Sequence, residues 1–329
     1  MRTLVTGSTG GLGLNLVERL VADGYQVDGT GRNSTIGKQV TDMGAAFTPA
    51  HLEDKDTLCK LCQNKEVVFH CAGFSSPWGR RDDFVSANIT GTSNIVSACL
   101  ETGVRRLVHI STPSIYFDFK DRFDVSESAI LPEKFVNNYA ATKRDAENIV
   151  MVAASQGLEV VILRPRGIFG PHDTALFPRL IKVAKRGRMP LFNGGNALVD
   201  VTYVGNVVDA MVLAASAPNR AIGQAYNITN AEPISVRQLL EKTFKALQLD
   251  VSFFTLPYQP ALAVAGAMEV IASLLPDRPE PPLTRYSVGV LSKSQTLDIS
   301  AAKEHLGYRP QVSIEDGIER FSTWWRMRG

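Results

Sequence analysis

The chain is 329 residues long, with 35 Lys plus Arg against 33 Asp plus Glu, and 44% of its residues are hydrophobic. That length suits one domain with an appended lobe, or two domains, and the near-balanced charge, without runs of one sign, argues against nucleic acid or an acidic surface as partner. The longest apolar stretch, Ala261 to Leu275, falls short of the ~20 residues that span a bilayer and contains Glu269, so no transmembrane segment is expected.

In chain order, the first half alternates short apolar runs with longer amphipathic ones, the pattern of a parallel sheet covered by helices. Strands are predicted over Arg2 to Thr6, Gln26 to Gly31, Ala46 to Thr48, Glu66 to Cys71, Arg106 to Ser111 and Glu159 to Leu163. Helices are predicted over Gly11 to Ala22, Thr57 to Gln63, Ser86 to Thr102 and Asn138 to Ser155. The fold class is therefore doubly wound α/β. The short run Leu4-Val5 passes at once into a glycine-rich turn instead of a long apolar leader, so a cytoplasmic location is expected.

Beyond about Arg164 the pattern turns irregular, with helix-like stretches at Val207 to Ala215 and Ser235 to Leu247, a Pro-rich bend at Pro276 to Pro282 and a last helix at Ile314 to Trp325. The division expected is a dinucleotide-binding domain over 1–165, to which some later segments return, and a mainly substrate-binding lobe over 166–329. Ala261 to Leu275 reads as a buried helix, with a lid over an apolar substrate or a membrane-surface element as sharper alternatives. Cys59, Cys62, Cys71 and Cys99 lack the second Cys pair of a structural zinc site and are read as reduced thiols. No metal site is expected.

The first strand runs into a glycine-rich turn, Gly7, Ser8, Thr9, Gly10, Gly11, Leu12 and Gly13, that opens a helix. Gly tolerates the tight turn and lets a pyrophosphate approach the backbone, and the helix N-terminus offers free N–H groups and the positive dipole end. Dinucleotide binding follows from that placement. At the tip of the second strand stand Gly31, Arg32 and Asn33 without a carboxylate, while Asp28 lies inside the strand. Arg32 can pair with a 2′-phosphate, so NADP(H) is favoured and NAD(H) remains open.

Tyr139 and Lys143 are neighbours on one helix face. A cation beside a phenol stabilises the phenolate, so the pair can serve proton transfer.

Taken with the turn at residues 7 to 13, Phe69-His70-Cys71-Ala72-Gly73, Asn88, Ser111 to Tyr116, LRPRGIFGP over Leu163 to Pro171, DVTYVGNVVD over Asp200 to Asp209 and Leu306 to Pro310, the chain resembles the extended short-chain dehydrogenase/reductases over essentially its whole length. It most resembles the branch with 3β-hydroxysteroid dehydrogenases and 2-alkyl-3-oxoalkanoate reductases. The resemblance implies a Rossmann domain, a homodimer joined through the helices at Ser86 to Thr102 and Asn138 to Ser155, and a hydride-transfer site. Thr112 would hold the substrate oxygen, Tyr139 would move its proton, and Lys143 would hold the nicotinamide ribose and lower the pKa of Tyr139. Asn88 would keep its helix in register with Lys143. Cys71, Ala72, Gly73, Pro165 and Ile168 would pass the cofactor, and Ser75, Ser114, Phe117, Arg166 and Tyr203 the substrate. His70 and His109 are read as structural residues.

Two departures bear on substrate and cofactor. Phe117 stands where many sugar-nucleotide members have Gly, which favours a small hydrophobic carbonyl or alcohol substrate, steroid-like or β-keto-acid-like, as do Tyr203 and the stretch from Phe253 to Leu275. His51 stands where the family has Asp before its adenine-contacting residue, here Leu52, which leaves that contact open. The main reading is an NAD(P)-dependent ketone/alcohol oxidoreductase. A sugar-nucleotide epimerase or dehydratase with tightly held NAD is the alternative, and a non-catalytic nucleotide sensor the remote one.

Overall fold

The computed structural model describes residues 1–328. Its main sheet has seven parallel strands: β1 (Arg2–Thr6), β2 (Gln26–Gly31), β3 (Ala46–Pro49), β4 (Val67–His70), β5 (Arg106–Ile110), β6 (Glu159–Pro165) and β7 (Gln224–Ile228). Their order is β7-β6-β5-β4-β1-β2-β3. All four residues of β4 and six of the seven in β6 are buried. Such unbroken apolar strands are those of a sheet covered on both faces.

Of the helices, numbered here without the single turn Arg81–Phe84, the first five are α1 (Gly11–Ala22), α2 (Ser34–Asp42), α3 (Lys55–Cys62), α4 (Gly91–Thr102) and α5 (Asn138–Ser155). The remainder are α6 (Phe177–Ala184), α7 (Val204–Ala215), α8 (Val236–Ala246), α9 (Tyr258–Leu274), α10 (Arg285–Ser292) and α11 (Ile314–Arg326). One face of the sheet packs Leu16, Val17 and Leu20 of α1 with Val207, Met211 and Ala214 of α7. The other packs Leu58, Ile95, Cys99 and Val150 from α3, α4 and α5.

The first unit is thus not contiguous in sequence. α7 and β7 return to it from beyond residue 200, and Tyr308 lies in the same core. β7 escaped prediction because Gln224-Ala-Tyr-Asn-Ile228 mixes polar and apolar residues without a period. The long helix predicted from Ser86 is interrupted as well. Its start is a π-helical segment, Val85–Thr90, that carries Asn88; such segments recur at functional sites.

The lobe has its own core, in which Phe177, Ile181, Leu239, Leu240, Ile318 and Phe321 meet. The apolar stretch 261–275 corrects its expectation. It forms most of α9, where only Ala261, Ala265 and Ala272 are buried, and Val264, Val270, Ile271, Leu274 and Leu275 are exposed. The small alanine face is what packs, while Glu269 holds Arg285 of α10 at 2.6 Å. Among the described residues no helix is long and apolar enough to cross a membrane.

Candidate active site

The order of strands reverses between β1 and β4, and in such sheets ligands bind outside the carboxyl ends of the strands at that point. A cleft of about 1070 Å³ lies there, lined by Gly7, Thr9, Gly10, Arg32, Asn33 and Leu52. Gly7 adopts φ +68°, and a Cβ on it would lie 2.7 Å from the backbone nitrogen of Ala72, so only glycine fits. A Cβ on Gly13 would come within 2.1 Å of the Gly7 carbonyl. Gly13 therefore packs the turn, Gly11 packs against the His172 carbonyl, and neither lines the cleft. Gly10 caps α1 without a side-chain hydrogen bond, which leaves first-turn N–H groups for an anion. This arrangement fits a dinucleotide.

Asp28 is ion-paired to Lys65 away from the strand tip. Arg32 is exposed in the cleft wall. Asn33 spends its carboxamide oxygen on the Ile36 N–H of α2, at 3.0 Å, while still lining the cleft. Leu52 reaches the cleft but His51 does not; Glu53, which sequence reasoning passed over, lines it and accepts a hydrogen bond from Ser86.

Cys71, Ala72 and Gly73 join this cleft to a second cavity of about 440 Å³ between the sheet and the lobe. Its floor holds Ser75, Asn88, Thr112, Ser114, Tyr139 and Lys143, with Leu12, Pro165, Arg166 and Ile168 beside them. Its far walls are apolar, made by Leu176, Leu180, Val236, Leu239, Leu240 and Leu291. These walls, and not the stretch from Phe253 to Leu275, supply the apolar surface.

Tyr139 lies beside Ser75 and Thr112 in this floor; burial pushes its pKa up, and the two neighbouring hydroxyls only partly offset that. Thr112 donates to Ser114 Oγ at 3.0 Å and accepts from the Ser114 N–H at 3.2 Å. Ser114 Oγ lies 2.8 Å from the hydroxyl of Tyr286 on α10. Asn88 accepts from Phe74 N at 2.8 Å and donates to Thr142 Oγ1 at 3.1 Å, so it fixes α5 at the residue before Lys143.

Lys143 is 4% exposed. Its ammonium donates to the Ile110 carbonyl at 2.6 Å and lies 3.3 Å from His109 Nε2. Burial lowers its pKa to about 8, against a smaller upward pull from Glu147 and Cys71. The expected lowering of the Tyr139 pKa by Lys143 is not seen here, because the ammonium is turned to the Ile110 carbonyl and His109. His70 is bonded on both ring nitrogens, to Thr6 Oγ1 at 2.7 Å and Thr92 Oγ1 at 3.1 Å, and burial drives its pKa to about 3. It is a neutral brace.

Phe117 and Tyr203 do not reach the cavity. Phe117 is 1% exposed and meets Tyr286 edge-on at 6.0 Å, so it backs a wall residue. Tyr203 is packed in the lobe core against Phe169, at 5.9 Å, beneath Arg320. Tyr286 and Asp200 line the cavity and were missed. Asp200 opens the DVTYVGNVVD motif, but only the folding back of distant segments brings it and Tyr286 to the cavity. The four cysteines are free thiols, and burial pushes Cys71 up to about 12. The described residues hold no group of three or more His, Cys, Asp or Glu that could bind a metal.

A parallel sheet with a glycine-turn cleft at its switch point, opening into a cavity floored by Thr112, Tyr139 and Lys143, defines an NAD(P)-dependent enzyme of the extended short-chain dehydrogenase/reductase class. The chain belongs to the 3-beta hydroxysteroid dehydrogenase/isomerase family, whose model matches residues 4–257. It is 36% identical to a 2-alkyl-3-oxoalkanoate reductase of Stenotrophomonas maltophilia, covering 98% of this chain and 99% of that one. It is 30% identical to the decarboxylating sterol-4-alpha-carboxylate 3-dehydrogenase of Homo sapiens, covering 97% and 87%. Among solved structures, UDP-glucuronic acid 4-epimerase from Bacillus cereus in complex with NAD superposes with a TM-score of 0.79 at 25% identity, over 100% of this chain and 99% of that one.

Proposed function

We propose that this enzyme interconverts a ketone and a secondary alcohol on a hydrophobic substrate, with Thr112, Tyr139 and Lys143 as its working residues. The observation that carries this reading is that Tyr139 meets Ser75, Thr112 and Lys143 in the floor of an apolar-walled cavity continuous with the nucleotide cleft. The reductase and dehydrogenase named among the relatives support the same chemistry.

When bound, the nicotinamide supplies or accepts the hydride. Thr112 holds the substrate oxygen, and Tyr139 donates its proton to that oxygen during reduction or removes it during oxidation. The high pKa that burial gives Tyr139 keeps the phenol protonated at neutral pH, the form that reduction needs. Lys143 would hold the nicotinamide ribose, and Asn88 keeps that stretch of α5 in place. The apolar walls bind the rest of the substrate and exclude water.

NADP(H) is the favoured cofactor, because Arg32 stands free in the cleft wall and Asp28 is committed to Lys65. A homodimer forms through α4 and α5, where Met151 and Val152 are 38% and 59% exposed. The test of the reaction is Tyr139→Phe: turnover of a good ketone substrate falls by about 100-fold or more while nucleotide binding is kept. Near-normal turnover would show the assignment to be wrong.

A further inference from the structure

Three arginines are buried: Arg106, Arg164 and Arg166, at 3%, 5% and 8% exposure. Arg106 is ion-paired to Glu159 at 2.8 Å and Arg164 to Glu147 at 2.7 Å. Arg166 differs. Its backbone is pinned, with the N–H on the Ile228 carbonyl at 3.1 Å and the carbonyl accepting from Thr202 Oγ1 at 2.6 Å. Its guanidinium, by contrast, has no carboxylate within ion-pair distance and no hydrogen bond among the described residues; it feels Tyr286 and Asp200 only at longer range.

Arg166 lines the cavity. A guanidinium presents a planar fork of five donors, and since none of its nitrogens is among the fully enclosed unpartnered atoms, the fork opens onto the cavity. Two nearby groups could have satisfied it, and neither does. The Tyr286 hydroxyl is engaged with Ser114. Asp200 accepts the Leu297 N–H through Oδ2 at 2.7 Å, and its buried Oδ1 has no partner. The far walls of this space, Leu176, Leu180, Val236, Leu239, Leu240 and Leu291, offer no side-chain acceptor.

We infer that Arg166 is the counter-ion for a carboxylate carried by the substrate, so that the enzyme takes an anionic, otherwise apolar ketone or alcohol in preference to a neutral one. The fork meets the two carboxylate oxygens bidentately, while Leu239, Leu240 and Leu291 take the apolar part. Asp200, in the same wall, disfavours an anion of higher charge such as a phosphate monoester. The inference deepens the proposed function, because it rests on this cavity being the substrate site.

Binding and turnover separate the two. Calorimetric titration of the enzyme loaded with oxidised nicotinamide nucleotide compares decanoate with methyl decanoate, neither of which exchanges hydride. Decanoate binds about tenfold or more tightly than the ester. The ratio falls to near one in Arg166→Gln and is partly kept in Arg166→Lys, the variant that decides the matter should Arg166→Gln fail to fold. Equal affinities in the parent enzyme, binding of neither ligand, or an acid preference that survives loss of the guanidinium overturns the assignment. Turnover of 3-hydroxydecanoate is followed in parallel. An intact acid preference without oxidation of this or any other secondary alcohol leaves the anion site standing and removes the hydride-transfer reading.

Discussion

Arg164 holds both carboxylate oxygens of Glu147, at 2.7 Å each, and so ties the end of β6 to α5 one turn beyond Lys143. Glu147 is fully buried and also accepts from Arg144 at 3.0 Å. The same guanidinium donates to Tyr116, whose hydroxyl donates to Asn227 of β7 at 3.1 Å. One ion pair therefore fixes the helix that carries Tyr139 and Lys143 against two strands of the sheet.

Removing one charge of a buried pair leaves the other uncompensated. Glu147→Gln is expected to cost about 3 kcal/mol or more of stability at neutral pH, read from denaturant unfolding. Burial works to raise the carboxyl pKa, and the Arg164 bonds outweigh it, so the folded value lies below the usual carboxylate range. The contribution of this group is thus complete at neutral pH and lost on acidification through the folded pKa. A Glu147→Gln protein as stable as the parent would remove the structural role assigned to the pair.

Lys143 titrates near pH 8, below its ordinary value of 10.5. Between those values the unfolded chain binds a proton that the folded one has released, so stability from this group rises with pH across that window. Nucleotide binding moves the opposite way. Affinity for NAD(P)H, measured by fluorescence, is expected to fall as pH rises through about 8 in the parent, with that limb absent in Lys143→Met. The same fall in both proteins would mean that another group is responsible.

Arg32 decides between the two nicotinamide nucleotides if the cleft is read correctly. The parent protein should bind NADPH about tenfold or more tightly than NADH, and Arg32→Ala should erase the difference. Equal affinities in the parent would sink the argument from the strand tip.

Light scattering at micromolar concentration should give about twice the 35.9 kDa chain mass, and Val152→Arg on α5 should shift it to the monomer. A monomeric parent would count against α4 and α5 as the interface.

Much of this protein was legible in its sequence because the relevant physics is local. The apolar runs gave β1, β4, β5 and β6 to within a residue or two, since a strand buried on both faces must be largely apolar, while β2 and β3, only partly buried, followed from the alternation of strand and helix. The glycines at 7, 10, 11 and 13 announced the turn by their spacing after β1, although the close approaches that demand glycine at 7 and 11 come from Ala72 and His172. Tyr139 and Lys143 could be paired because helix pitch places them on one face, and Thr112, Ser114, Arg166 and Asn88 took their places through motifs in fixed order.

What the tertiary structure decided is non-local. β7 had no periodic pattern and became a strand only because the edge of β6 offered it partners. Tyr203 and Phe117 carried the chemistry of a pocket wall, yet core packing claimed both, while Tyr286 and Asp200 came to the cavity from segments far along the chain. The direction of each pKa shift also belongs to the fold: spacing suggested that Lys143 would lower Tyr139, but burial raises Tyr139 and lowers Lys143. Sequence determined which residues could do the chemistry; three-dimensional packing decided which of them face the substrate, and left Arg166 there without a partner.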